Sequence, residues 1–593
     1  MPAESAAGGE NLELPFCRRE RGARSVKQHL LNMRLSLLAA AAILLELGLV
    51  GTSATGQVGE TFAGETAGRV HIEFSNDLPP LPDGGDDAGQ NVDFPAVDYG
   101  GYGSVCSPFA DRIEHDACVP EEEPSLCWKL GDGFFDALSA PVEPLADCIS
   151  RLSGSEHYAP ESPLDNYAIG LQPIPDRPRL AIETHEKFLA PGFLEQGIRL
   201  PSGAIWRPAF WVFGTYRTGI SYQDNRAGAK FTEWANRLDL FGQLNLSGTE
   251  RLLVGLRPLD KERGNRRTFA SYDFRSGDWI DGANSDLQTF FFEGDFGEIF
   301  PNLDPYDSGT LDYGFSVGRQ PMSFQQGLLV NEDLIDAVTV TRNTLFGGGN
   351  LNLRITGVYA HREVHRNNNQ PDPDAQLIGL FTESDFANST VNADVAYVNS
   401  QTNLGDLVTF GLSAIQRLRG FHNTYNTSFH LLASFPTEGE TVASGQGELL
   451  FSQISWTPHH SNDLVYLNGF WAIDQFTSPA RGPLAGGPLG QTGILFAAAG
   501  LGRFGAPLNN QASNAVGSSL GYQLFFDETR KQVVLEVGGR TDTNGIDAGE
   551  IGIGTRCQTA LDQHWIFLVD GFATKREGRG VAPGCRVELL AKF

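Results

Sequence analysis

Positive charge is scarce in this chain: 44 Lys and Arg stand against 72 Asp and Glu, a formal net charge of -28. Phosphates select basic surfaces, so this balance argues against nucleic acid as a partner. Methionine is scarcer still, three in 593 residues, while glycine reaches 69, a composition of turns and strands more than of helices. Seven Cys and 12 His are too few and too scattered for a metal-site signature, and nothing implies a cofactor. Long apolar runs are also missing. The best, Leu35 to Leu45, is shorter than the roughly 20 residues of a spanning helix, and Glu46 ends it.

What is present at the start is a leader. Met33-Arg34 is followed by that apolar run and then by the small residues of Gly51–Gly56, the layout of a secretory signal peptide cut after Ala54 or Gly56. Residues 1–56 are therefore expected to be leader and signal, with Met33 as the true start, and 57–105, rich in Gly, Asp and Pro, to be a linker. Cys106, Cys118, Cys127 and Cys148 fall close together in an exported chain. That spacing suggests two disulfides in a small domain over 106–200; a zinc site is the rival, but no Cys-x-x-Cys pair is present.

From about Pro208 the chain alternates. In "RLDLFGQLNL" Leu238, Leu240, Leu244 and Leu246 share one face, and Arg237, Asp239, Gln243 and Asn245 the other. Period-two alternation marks a half-buried strand. Eighteen such segments run from 208–222 to 585–593, the weakest being 375–383. Connections after odd strands are mostly long (223–235, 258–286, 321–335, 362–374, 474–514) and those after even strands mostly short, with 298–310 and 400–405 as exceptions. Long loops at one end and tight turns at the other, with charge in mid-strand, predict an all-β transmembrane antiparallel up-and-down barrel over 201–593, of about 18 strands (16–18). Tyr222, Tyr425, Trp456, Trp565 and Phe593 stand at strand ends, where interfacial girdles form.

The terminal "CRVELLAKF", with Val587, Leu589, Ala591 and Phe593 on one side, resembles the C-terminal assembly signal of bacterial outer-membrane proteins. With the leader and the strand ladder, residues 208–593 resemble outer-membrane porins. The stretch "VGRQPMSFQQGLLVNEDLIDAVTVTR" is similar to the "GRQ … FDAV" segment of alginate-export-type porins, whose barrels have eighteen strands; here Ile335 replaces the usual Phe, and the Cys-bearing N-terminal region is a departure. The resemblance implies cell outer-membrane localisation and three kinds of partner: lipid and lipopolysaccharide, the barrel-assembly machinery, and small hydrophilic solutes.

In a porin, lumen charges and an inward-folded loop decide what passes. The alternation puts Arg237, Arg251, Arg257, Arg354, Arg540, Arg556 and Arg586 on the polar face, with Asp239, Asp312, Asp394, Glu536 and Glu588 opposing them. These arginines either form a basic ladder for anionic or carbohydrate-like solutes or brace the wall by pairing. The apolar "ILFAAAG" within 474–514 predicts a constricting loop that tucks inward, carrying Leu495, Phe496, Arg503 and Phe504. Cys557 and Cys585 look like a disulfide pair, but fall at opposite ends of strands 16 and 18; either they do not pair or the last strands are placed differently. Enzyme signatures are poor: Gly517–Gly521 matches G-x-S-x-G but sits in a strand pattern, and "HREVH" is not H-E-x-x-H. Passive diffusion of small hydrophilic solutes is the first functional reading; a plugged structural or adhesive barrel is the second.

Overall fold

The computed structural model describes residues 143–154, 177–190, 196–224, 229–263, 266–367, 369–420, 423–458, 461–527, 529–545 and 549–593. The expected leader and linker and Cys106, Cys118 and Cys127 lie outside these residues. All described residues belong to the second of two compact units, Pro124–Phe593.

Eighteen strands close into one antiparallel barrel. They are β1 Ala209–Asp224, β2 Lys230–Asn245, β3 Arg251–Leu256, β4 Leu287–Asp295, β5 Tyr313–Phe324, β6 Val330–Leu345, β7 Asn352–His361, β8 Gln376–Asp385 and β9 Ser389–Asn399. The second half comprises β10 Leu407–Gly420, β11 Asn423–Pro436, β12 Gly447–Trp456, β13 Leu464–Gln475, β14 Ser513–Phe526, β15 Lys531–Asp542, β16 Glu550–Ala560, β17 Trp565–Arg576 and β18 Val581–Lys592. Each strand pairs with the next, and β18 returns to β1 from Gly584↔Gln223 to Lys592↔Thr215. None of these eighteen wall strands is left with an unpaired neighbour side in the ring, which is why a barrel tolerates a medium without water. Among the described residues no helix is long and apolar enough to cross a membrane.

Each expected strand has its counterpart, 375–383 included, as β8. The largest differences are at the long-loop end. The β1–β2 ladder continues to Asp224↔Lys230 and β5–β6 to Phe324↔Val330, so the connections expected over 223–235 and 321–335 shrink to 225–229 and 325–329. Beyond the apolar band a strand no longer needs an apolar outer face, so its period-two signal fades although its hydrogen bonds continue. Conversely β3 is short, because the strand Arg266–Asp273 folds back and takes over the upper edge of β2 (Glu233↔Asp273 to Asn236↔Ala270).

The outer face is apolar and exposed, as at Ile220 (53 %), Ile553 (61 %) and Val587 (45 %), while Arg586 and Glu588 on the opposite face of β18 are 2 % exposed. Register makes Gly318 obligatory: φ is +130° and a Cβ there would lie 2.2 Å from the Phe290 carbonyl on β4. The inner face holds a surprise for a wall expected to meet water. Leu328 and Leu329 from the β5–β6 connection and Leu489, Leu495, Phe496 and Leu508 from 476–512 are buried against Phe381, Phe451 and Phe470 of the wall. Each such large side chain contributes about 1.5–3 kcal/mol by leaving water, so the inward loops are packed rather than merely tethered.

At the short-turn end, Ile182–Thr184 pairs with Phe210–Val212, along the edge of β1 that β18 no longer reaches. Helix α1, Glu143–Ser153, places Ala146 against Leu524 and Phe526 of β14 and buries them. Cys148 on α1 is a free thiol, as are Cys557 and Cys585; these last two belong to β16 and β18, with β17 between them. Of the aromatics expected at strand ends, Trp565 is 39 % exposed at the start of β17, whereas Tyr425 and Trp456 pack on each other and are buried. Asp312, expected on a strand, precedes β5 in the connection 296–312.

Candidate functional site in the lumen

Strand alternation carries Arg237 and Asp239 to the inner face of β2. Arg257 follows β3 directly. Asp239 lies between the two guanidiniums, 2.9 Å from Arg237 Nε and 2.8 Å from Arg257 Nε, and Arg257 also pairs with Asp333 of β6. The chain of charges continues the other way round the barrel. Arg217 of β1 pairs with Glu588 at 2.6 Å, Arg586 with Glu588 at 2.7 Å and Asp570 at 2.6 Å, and Arg556 with Asp570 at 2.8 Å. Five arginines and four carboxylates thus form two paired runs, Asp333–Arg257–Asp239–Arg237 and Arg217–Glu588–Arg586–Asp570–Arg556, which meet where Arg217 stands opposite Arg237 on β1 and β2. Bidentate guanidinium–carboxylate contacts hold this belt in fixed geometry.

The loop 476–512 meets the belt from inside. The Gly500 carbonyl accepts from Arg237 (3.1 Å) and the Ala499 carbonyl from Arg217 (3.0 Å). Glu536 accepts the N–H groups of Ile494 (2.8 Å) and Leu495 (2.9 Å), and Arg540 donates to the Asn509 and Gln511 carbonyls. Arg503 pairs with Glu233 (2.9 Å) and Asp273 (2.7 Å), while Phe504 packs against Phe572 and lies under the Arg586 guanidinium. The connection 325–329 is held in the same way, Gln325 donating to Asp394 at 2.7 Å.

Of the residues expected to line the pore, Asp394, Glu536 and Arg540 are thus covered by inward loops and fasten them. Arg251 and Arg354 are on the inner face near the short-turn end, paired with Glu293 and Glu383. Arg237, Asp239, Arg257, Arg556, Arg586 and Glu588 form the belt. Arg217, Asp333, Asp570 and Arg481 were not singled out from sequence. The alternation of "YRTGISY" contains Arg217 and that of "LVDGF" Asp570, so both signals were there. Arg481 belongs to a loop with no period, and nothing local marks it.

Arg481 completes a pocket of about 400 Å³ lined by Arg237, Arg257, Asn331, Asp333 and the small residues of 484–500. Its guanidinium donates to the Gly327 (2.6 Å) and Leu328 (2.9 Å) carbonyls, and burial pulls its pKa down to about 10, so it keeps its charge at neutral pH. Three guanidiniums line this pocket with Asp333, and Asp239 lies against two of them, so one positive charge is in excess, which favours an anionic group there. Val587, Leu589 and Ala591 share the outward face of β18, and Phe593 extends the ladder, its N–H donating to the Gly214 carbonyl at 3.1 Å.

No protein-family model and no curated protein matches the sequence. Among solved structures the chain is similar to a BenF-like porin from Pseudomonas fluorescens Pf-5, at 9% identity and a TM-score of 0.46, covering 65% of this chain and 98% of that one. It is also similar to Pseudomonas aeruginosa OccK11 (OpdR), at 9% identity and a TM-score of 0.41, over 64% and 96% of the two chains. A third is Pseudomonas aeruginosa OccK2 (OpdF) in complex with glucuronate, at 9% identity and a TM-score of 0.43, over 65% and 98%.

Proposed function

We propose that this chain is an outer-membrane porin that lets small hydrophilic solutes, anionic ones foremost, diffuse through its lumen. The observation that carries the reading is the arginine pocket. A closed barrel with an apolar outer face has a loop packed into its lumen, and a cleft of about 400 Å³ with three guanidiniums lies between that loop and the wall at β2, β3 and β6. Fixed cations in a narrow passage act on passing ions at close range, where their field is least screened. In this reading the short turns face the periplasm, β18 and Phe593 serve the assembly machinery, the leader directs export, and passage needs no chemistry. The G-x-S-x-G match supports no esterase, since Gly517–Gly521 lies inside β14 and not at a strand-to-helix turn.

The test is single-channel recording in planar bilayers. The wild type is expected to conduct with anion preference, and Arg237→Glu with Arg257→Glu to reverse it. Unchanged selectivity would remove the arginine pocket from the pathway, and absence of any conductance would favour the plugged, adhesive alternative.

A further inference from the structure

The inner face of β2 runs on past the arginines to Gln243 and Asn245, six and eight residues further along, about 20–27 Å at strand rise. There, at the short-turn end, a second pocket of about 680 Å³ opens between β1–β6 and the β2–β3 turn. Its charge is reversed. Glu186, Glu250, Glu293 and Asp295 line it with Arg251 as the one guanidinium, and Arg251 is paired with Glu293. An anion leaving the arginine pocket is therefore repelled here, so the pocket suits a different ligand.

Its remaining groups say which. Gln243 donates to the Asn245 Oδ1 at 2.6 Å, which pairs the two side-chain amides and leaves Asn245 Nδ2 buried with no hydrogen-bond partner. A buried donor left unpaired is costly, and a turn of the Asn245 amide into the pocket, met by a ligand acceptor, relieves the cost. Hydroxyls line the same pocket from the far wall: Ser316 and Thr339 are 2.7 Å apart on β5 and β6, and Thr341, also lining, is 3.0 Å from Thr356. The indole of Trp211 also lines the pocket, fixed by its Nε1 hydrogen bond to the Glu186 carbonyl (2.7 Å) and an edge contact with Phe188. A pinned aromatic ring with an apolar surface, beside amides, hydroxyls and carboxylates, matches a molecule whose carbon skeleton is flanked by many hydroxyls.

We propose that this vestibule is a binding subsite for a neutral polyhydroxylated solute of mono- to disaccharide size, distinct from the anion-favouring pocket above it. It rests on the channel reading only for the route by which the sugar arrives. Calorimetric titration of the full chain in detergent with maltose, and with maltobionate as its anionic counterpart, tests it alongside bilayer conductance. Maltose is expected to bind, maltobionate at least tenfold more weakly, and Asn245→Leu and Trp211→Phe each to weaken maltose at least tenfold and fivefold while the β-sheet circular dichroism stays unchanged. Absence of maltose binding, indifference to both substitutions, or tighter binding of maltobionate overturns the subsite. Conductance without maltose binding sinks the subsite alone, whereas maltose binding with the expected variant effects but no conductance upholds the subsite and sinks the channel reading.

Discussion

At the scale of single residues the lumen is governed by arginines that are already paired. Arg586 is 2 % exposed and lies between Asp570 and Glu588, themselves nearly buried. Removing such a cation leaves carboxylates in a poorly solvated place without compensation, which costs about 3–5 kcal/mol. Arg586→Met is expected to lower stability by that order in urea unfolding from lipid vesicles. Adding Asp570→Asn should recover part of the loss, since the two positions share one network. Arg237 and Arg257 differ because they share Asp239 and also face open space beside Arg481. Pairing and lining the cleft are therefore not exclusive. Arg540 braces a loop, and Arg237 offers its charge to the cleft.

At the scale of elements, the loop 476–512 behaves as a packed insert. Its apolar residues are buried in the lumen, and its backbone is fixed by N–H groups donating to Glu536 and by carbonyls accepting from Arg540, Arg217 and Arg237. Hydrogen bonds to a charged acceptor are each worth about 1.5–3 kcal/mol, so Glu536→Gln should loosen the segment around Leu495 without unfolding the barrel. Noisier and larger single-channel currents are expected, with trypsin cutting after Arg503 in the folded variant but not in the wild type. Equal protease resistance would show that apolar packing alone holds the loop. The strands were legible because apolar alternation is imposed by a local geometry, side chains on opposite faces at every step. The inward placement of "ILFAAAG" was signalled by hydrophobicity, but its partners were not: Leu495 meets Glu536 through 41 positions of intervening chain, and Ala499 meets Arg217 through 282.

At the scale of the whole molecule, closure is the main stabilising device. β18 pairs with β1 over nine residues from Gly584 to Lys592, and Ile182–Thr184 covers the part of β1 that lies beyond. With each of the eighteen wall strands paired to a neighbour on both sides, detergent finds no edge in the wall at which to begin unfolding. The protein is expected to migrate faster in sodium dodecyl sulfate gels when unheated than after boiling. Breaking the seam, for instance with Val587→Pro, whose missing N–H removes a ladder donor, should abolish the fast form.

The amino-acid sequence by itself determined the number of strands, their order and which face of each is apolar, because period-two patterning and turn chemistry act within a few residues of chain. It also determined that the inner wall is rich in arginine and that a long connection is too apolar to remain in solvent. Only the tertiary structure decided which arginines meet a carboxylate and which a loop carbonyl, that Asp394 and Glu536 lie beneath inward loops, and that a basic cleft and an acidic vestibule follow each other along β2. Those outcomes depend on register and closure, which bring together residues such as Arg217 and Glu588 that are 371 positions apart, and no local pattern encodes such a meeting.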